Sequence, residues 1–257
     1  MLFDSHNHTN FSSDSNMLLE DALKIGKELN LGIISTEHLD LYYPIEDKFK
    51  VNVDEYLKTY SPFRGSNYLL GLELGLSKKT YQKSVSLLKD KSFDFIIGSI
   101  HAIEDEDISL KLSQEKPNKE VYYKNYLTFM LECINLYDNF DSLGHIDYIC
   151  RYGSYEDNNI NIDEFHDYLE EVFKALLNKN KVLELNTRRL NSKEDFKHLE
   201  NIYTLYKNLG GKYVTLGSDS HNVSQIGHNF DVAKNLLDKV SLKPIYFKER
   251  KPQKLIL

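Results

Sequence analysis

The chain has only two cysteines, Cys133 and Cys150, in 257 residues, too few for a disulfide framework. It lacks any apolar run near the roughly twenty residues that cross a bilayer. Met1 is followed by neither a basic n-region nor an apolar h-region. These absences predict a reduced, cytoplasmic protein with no membrane partner. No Pro-, Gly- or Ser-rich linker divides the chain and no segment repeats, so a single domain over 1–257 is expected. Positive charge is also scarce, 32 basic residues against 39 acidic, for a net charge of −7. With no basic stretch interleaved by aromatics, that balance disfavours long nucleic acid held through its phosphates. A small anionic substrate is still allowed.

What is present describes a globular protein with a sizeable core, 41% hydrophobic and 28% charged. Seven short apolar runs read as strands buried on both faces: Leu2-Phe3, Gly32 to Thr36, Tyr68 to Leu72, Phe93 to Gly98, Phe140 to Leu143, Lys181 to Leu185 and Tyr213 to Leu216. Amphipathic helices lie between them. Leu18, Ala22, Ile25 and Leu29 form one inward stripe, and Phe165, Leu169, Val172 and Leu176 another. Asn161 and Ser192 stand at N-cap positions, and Gly210-Gly211 ends a helix. Repeated strand–helix units argue for an α/β fold, a single parallel β/α barrel, with an open doubly wound sheet as its competitor. The polar loop Glu104 to Lys119, carrying Asp105, Glu106 and Asp107, is expected to overhang a site.

The residues that close each strand carry the chemistry. They are His6 and His8; Glu37-His38; Glu73; His101; His145 with Asp147; and Asp219 with His221. Only the sixth strand, followed by Asn186-Thr187-Arg188-Arg189, brings no such group to its end. In a barrel all these ends meet at one mouth. Six of the nine histidines fall there, in step with the strands, which points to metal binding. With Asp14, Glu73 and Asp219 they make nine donors, more than one ion needs. Imidazole mixed with carboxylate suits Zn, Fe, Mn or Co. Cations about 3.5–4 Å apart would stabilise the attacking and leaving oxygens of a displacement at phosphorus. Arg151, with Arg188 second and Arg189 as an alternative, is expected to clamp a phosphate. His228 is a candidate for substrate contact, or for protonating the leaving group. Cys150 reads as a small buried hydrophobe.

The ordered set His6-x-His8-Thr9 with Ser12-x-Asp14, Thr36-Glu37-His38, Gly71-x-Glu73, Gly98-Ser99-Ile100-His101, Gly144-His145-x-Asp147 and Ser218-Asp219-Ser220-His221 resembles the motifs of the PHP (polymerase and histidinol phosphatase) superfamily. The tail Phe247 to Pro252 resembles the end of its histidinol-phosphatase branch. The resemblance implies a distorted seven-stranded (β/α) TIM-like barrel with three divalent metal ions. His6, His8, Glu73 and Asp219 would hold the first, Glu73, His101 and His145 the second, and Asp14, His38 and His221 the third. It also implies hydrolysis of a small phosphorylated metabolite, L-histidinol phosphate, in histidine biosynthesis. Two departures stand out: Glu37 replaces the usual Asp before His38, and Arg188-Arg189 interrupts the usual Asn-Thr-Ser-Gly-Leu-Arg run. The alternatives are a phosphodiesterase or exonuclease, a phosphotyrosine phosphatase, or a metal-binding domain without activity. The oligomeric state is not legible.

Overall fold

Each of the seven runs, rich in β-branched and aromatic side chains and bounded by turn residues, becomes a strand of one sheet. The computed structural model describes residues 1–43, 47–104 and 106–255. The seven strands are β1 (Leu2–Asn7), β2 (Leu31–Leu39), β3 (Tyr68–Gly75), β4 (Phe95–Ser99), β7 (Ser142–Leu143), β8 (Val182–Asn186) and β9 (Tyr213–Gly217), neighbours in that order and parallel throughout. Helices α1 (Leu19–Glu28), α2 (Val53–Tyr60), α3 (Tyr81–Leu88), α5 (Lys119–Leu136), α6 (Ile162–Asn178) and α7 (Lys193–Asn208) make the crossovers. β1 and β9 meet where Asn7 bridges Ser220, with His8 N–H donating to Ser220 O at 2.8 Å. The expected distorted β/α barrel is therefore observed, drawn together at the end where the strands finish.

The other end is plugged by an element the sequence pattern did not suggest. After α8 (Phe230–Val240), β10 (Lys243–Lys248) joins β9 in parallel and turns back through β11 (Lys251–Lys254). Glu249 and Arg250 at the turn both have positive φ, as a two-residue hairpin requires. Their amides bond to Asp94, ahead of β4, and Arg250 Nε reaches Asp141, ahead of β7, at 2.5 Å. Ile245 and Phe247 then pack with Phe3, Ile34, Leu69, Phe95 and Ile97 as a small second core. The large core fills the space between sheet and helices.

Local signals were met at Asn161 and Ser192, whose side chains accept from Asp163 N–H and Asp195 N–H at the starts of α6 and α7. Two expectations need correction. Leu18 and Leu29 are about half exposed, because they stand at the caps of α1, and the helix turns Leu19, Ala22 and Gly26 inward instead. The Glu104–Lys119 segment is not a plain loop. Its strand β6 (Glu106–Asp107) pairs antiparallel with β5 (Ala102–Ile103), just ahead of the segment, and leads into the helix α4 (Ile108–Gln114), capped by Asp107. Asp105 lies outside the described residues. Both cysteines are free and buried. Among the described residues no helix is long and apolar enough to cross a membrane.

Candidate metal centre

His6 and His8, two residues apart at the end of β1, point to the same side of the extended chain. Both imidazoles are fully buried. Their Nε2 atoms each lie 3.4 Å from a different oxygen of Glu73, on β3, and 3.8 and 3.5 Å from Asp219 Oδ1, beyond β9. Asp219 itself sits at φ +55°, a region that Asp tolerates better than most residues. Across Glu73, Nε2 of His145 and of His101 stand 3.0 and 3.1 Å from Oε1 and 3.4 Å from each other. Nearer the surface, Asp14 Oδ2 is 3.6 Å from His38 Nε2 and 3.0 Å from His221 Nε2. The donors singled out in the sequence thus gather around Glu73, and three-residue subsets such as His6, His8 and Glu73, or His38, Glu73 and His101, fall within metal-ligating range of one another.

The imidazoles are aimed by acceptors on their far nitrogens. Glu184 Oε1 lies 2.7 Å from His6 Nδ1, and Asp40 Oδ1 lies 3.1 Å from His101 Nδ1. The Asp219 carbonyl lies 3.0 Å from His221 Nδ1. Ser12 Oγ donates to Glu37 at 2.6 Å, so at 3.2 Å from His8 Nδ1 it is left to accept. For His6, His101 and His8 the proton belongs on Nδ1 and the Nε2 lone pair faces the centre, the arrangement that metal-binding histidines adopt, while His221 Nδ1 also has the Arg188 Nη1 donor 3.3 Å away. Glu37 does not touch the imidazole of His38. It takes Thr9 N–H, Thr9 Oγ and Ser12 Oγ, and so shapes the loop that carries Asp14.

The buried atoms left over are informative. His6 Nε2 and His8 Nε2 have no hydrogen-bond partner among the described residues, and Glu73 Oε2 faces His38 Nδ1 at 2.8 Å. Lone pairs buried against one another are costly unless a cation shares them, so the donor set fits metal ions. The electrostatics agree. Burial opposes charge on His6, yet Glu184, Glu73 and Asp219 hold its proton well above the usual imidazole range. Burial likewise opposes charge on His101, which Asp40 and Glu73 push up to about 10. Burial, His38 and His221 press His8 the other way. Burial opposes charge on Glu73 as well, yet His6, His101 and His38 hold its carboxyl well below the usual carboxylate range, so it stays a charged donor.

A cavity of about 240 Å³ opens above these residues. Arg151 lines it, on the short 3-10 turn Tyr148–Arg151. Its Nη1 lies 2.7 Å from Asp219 Oδ2, and its Nη2 donates to Asn186 Oδ1 at 3.1 Å. Arg188 lines the same cavity, half-exposed, with Nη1 3.4 Å from Asp219 Oδ1. Arg189 turns away to Asp147 and Asn159, 2.8 Å from each. His228 is not among the cavity-lining residues; its Nε2 meets Asn191 Oδ1 at 3.1 Å. Asp107 and Ser109 reach the cavity from β6 and α4, and Tyr42, Tyr148 and Tyr152 supply aromatic walls.

Two site residues escaped the sequence reading. Glu184 sits inside β8 rather than after it, and its Oε2 also accepts the His145 amide at 2.7 Å. A carboxylate in the middle of a strand buried on both faces needs a partner, and that was the available signal. Asp40, two residues past His38, is fitted against Gly75, where a Cβ would lie 1.8 Å from Asp40 Oδ1.

Comparison with known proteins gives consistent findings. The PHP domain family matches residues 4–188. The chain is 43% identical over 251 residues to a probable histidinol-phosphatase of Clostridium acetobutylicum, covering 97% of this chain and 98% of that one. It is 32% identical to a histidinol-phosphatase of Lactococcus lactis, covering 92% and 90%. The crystal structure of histidinol phosphate phosphatase from Lactococcus lactis, complexed with zinc, L-histidinol and phosphate, superposes with a TM-score of 0.89 at 30% identity, over 98% of this chain and 99% of that one.

Proposed function

The chain belongs to the PHP domain family, and from that premise we propose how its site works. The protein is a histidinol-phosphatase, a phosphoric monoester hydrolase that converts L-histidinol phosphate to L-histidinol and phosphate. The observation that carries this reading is the match, along nearly the whole chain, to histidinol-phosphatases. The donor cluster under an arginine-lined cavity is the chemistry such an enzyme needs.

Three divalent ions, of zinc, iron or manganese, are the reading that accounts for nine converging donors. His6, His8, Glu73 and Asp219 would hold the first. Glu73, His101 and His145 would hold the second, and Asp14, His38 and His221 the third. Such ions supply Lewis-acid polarisation of phosphoryl oxygens and make water more acidic. The remaining work belongs to the chain. Glu73 presents one oxygen to each side of the cluster. Arg151, its guanidinium set by Asp219, Asn186 and the Tyr148 ring 5.2 Å away, faces the phosphate. Arg188 adds a second positive charge at the rim. Asp107 offers a counter-charge to the substrate ammonium. Residues 1–257 act as one catalytic domain, a reading supported by the single nine-stranded sheet that runs from β1 to β11.

Steady-state hydrolysis of L-histidinol phosphate by protein reconstituted with zinc, iron or manganese tests the reading, with phosphotyrosine and a dinucleotide as competing substrates. The expected result is metal-dependent turnover of L-histidinol phosphate at a kcat/KM well above either competitor. Preference for the dinucleotide or for phosphotyrosine would transfer the site to another member chemistry of the family.

A further inference from the structure

The end of the barrel opposite the metal centre concentrates positive charge in a chain that is acidic overall. Three strands in succession begin on a lysine: Lys181 precedes β8, Lys212 precedes β9, and Lys243 opens β10. Leu183 pairs with Val214, so Lys181 and Lys212, each two residues upstream, stand level on adjacent strands. Like charges in that relation are destabilising unless something negative lies between them. A cavity of about 520 Å³ opens at this point. Its charged lining is Lys179, Lys181, Lys212, Lys254 and Arg250 against the single carboxylate of Asp141.

The internal partners do not neutralise that charge. Asp141 is already engaged by Arg250 Nε and by the Ile96 amide. Asp138 takes Lys179, while Lys181 donates to the Asp138 carbonyl and lies over the Phe140 ring, 5.3 Å from its centre. Among the described residues, Lys212 and Lys254 have no carboxylate partner. The Tyr213 hydroxyl is drawn below the usual phenol range, chiefly by its hydrogen bond with Lys254 and further by the charges of Lys254, Lys243 and Lys212. Val182, Ile245 and Phe247 supply an apolar wall to the same cavity. A space of this size is larger than a lone phosphate needs and falls within the range of small-molecule sites. Lysines that stand as point charges beside an apolar wall suit a phosphorylated molecule with a ring system.

We propose that this cavity, at the strand-entry end of the barrel, binds a phosphorylated metabolite with an apolar ring, of nucleotide chemistry, separately from the catalytic mouth. The test is calorimetric titration of MgATP into the metal-loaded protein. Three forms are compared: wild type, Lys212→Glu/Lys254→Glu, and Arg151→Ala, with adenosine and inorganic pyrophosphate titrated alongside. The expected result is saturable one-site binding of MgATP to wild type and to Arg151→Ala, weakened about tenfold or more in the double variant. Adenosine and pyrophosphate should each bind more weakly than MgATP. Both exchanged lysines are exposed and far from the metal centre, so the double variant should keep the wild-type kcat/KM for its phosphoester. Absence of saturable binding would overturn the proposal. So would binding that survives in the double variant, or binding that disappears in Arg151→Ala.

Discussion

The carboxylate of Glu184 stands 2.7 Å from Nδ1 of His6, two fully buried side chains brought together from strands 178 residues apart. The same carboxylate holds the His145 amide, so a single group from β8 fixes two of the histidines that face Glu73 Oε1. Gly217 leaves room for it, since a Cβ there would lie 2.2 Å from Glu184 Oε1. Glu184→Gln keeps the shape but cannot hold the His6 proton as strongly. Metal affinity should fall about 10- to 100-fold, as when other orienting groups of metal-bound histidines are removed. Metal content after dialysis against a graded chelator checks this, and wild-type retention of all ions would refute the orienting role.

The three arginines near the mouth should separate by effect. Arg151 is buried and turned to the cavity, so Arg151→Ala should lower kcat/KM for L-histidinol phosphate about 10²- to 10³-fold, the scale for losing a fixed charge-stabilising donor. Arg188 is solvent-facing, and Arg188→Ala should act mainly on KM, by roughly tenfold. Arg189 instead pairs with buried Asp147, so Arg189→Ala should show in thermal stability, about 3 kcal/mol of unfolding free energy, the low end for a buried pair because Arg189 is partly exposed, more than in kcat. Equal losses of kcat/KM in all three would contradict this division.

Much of this was legible in the chain because it obeys short-range rules. The seven apolar runs, the Asn161 and Ser192 caps, and the donors at strand ends are local patterns with fixed periods. What was hidden depends on distant contacts. Glu184 looks like an ordinary strand residue until β1 and β8 are folded against one another. Asp40 matters only through His101, 61 positions away. The β10–β11 hairpin was missed because it is short and lysine-rich, and its hold on Asp94 and Asp141 is tertiary. Leu18 and Leu29 misled because helix periodicity ignores where the helix stops.

Gly75 should be intolerant for a reason specific to catalysis. A Cβ there would lie 1.8 Å from Asp40 Oδ1 and 2.8 Å from Asp40 Cγ. Gly75→Ala must push Asp40 off the His101 ring it orients, at a stability cost of about 1–3 kcal/mol. Activity should drop about as far as in Asp40→Asn, roughly 10- to 100-fold. The double variant should lose little beyond either single change, because both remove the same contact. Fully additive losses in the double-mutant cycle would show that Gly75 acts by another route.

His198 should give the folded protein a defined acid sensitivity. It lies buried on α7, its Nε2 without a hydrogen-bond partner among the described residues, beside the Asp147–Arg189 pair. Burial pushes it down to about 4, more strongly than Asp147 can raise it. The unfolded chain titrates near the ordinary value of about 6.5. Between those values the unfolded state binds the proton and the folded state does not, so stability rises with pH through the window and is lost as pH falls below about 6.5. The loss should be on the order of 2 kcal/mol by pH 5. His198→Leu removes the titrating group while keeping an apolar side chain in the space. Denaturant unfolding of the metal-loaded proteins at pH 7.5 and pH 5 should therefore show the variant gaining on wild type at the lower pH, with other acid-sensitive groups common to both. A stability difference that stays constant between the two pH values would mean that His198 is not the group that couples folding to protons.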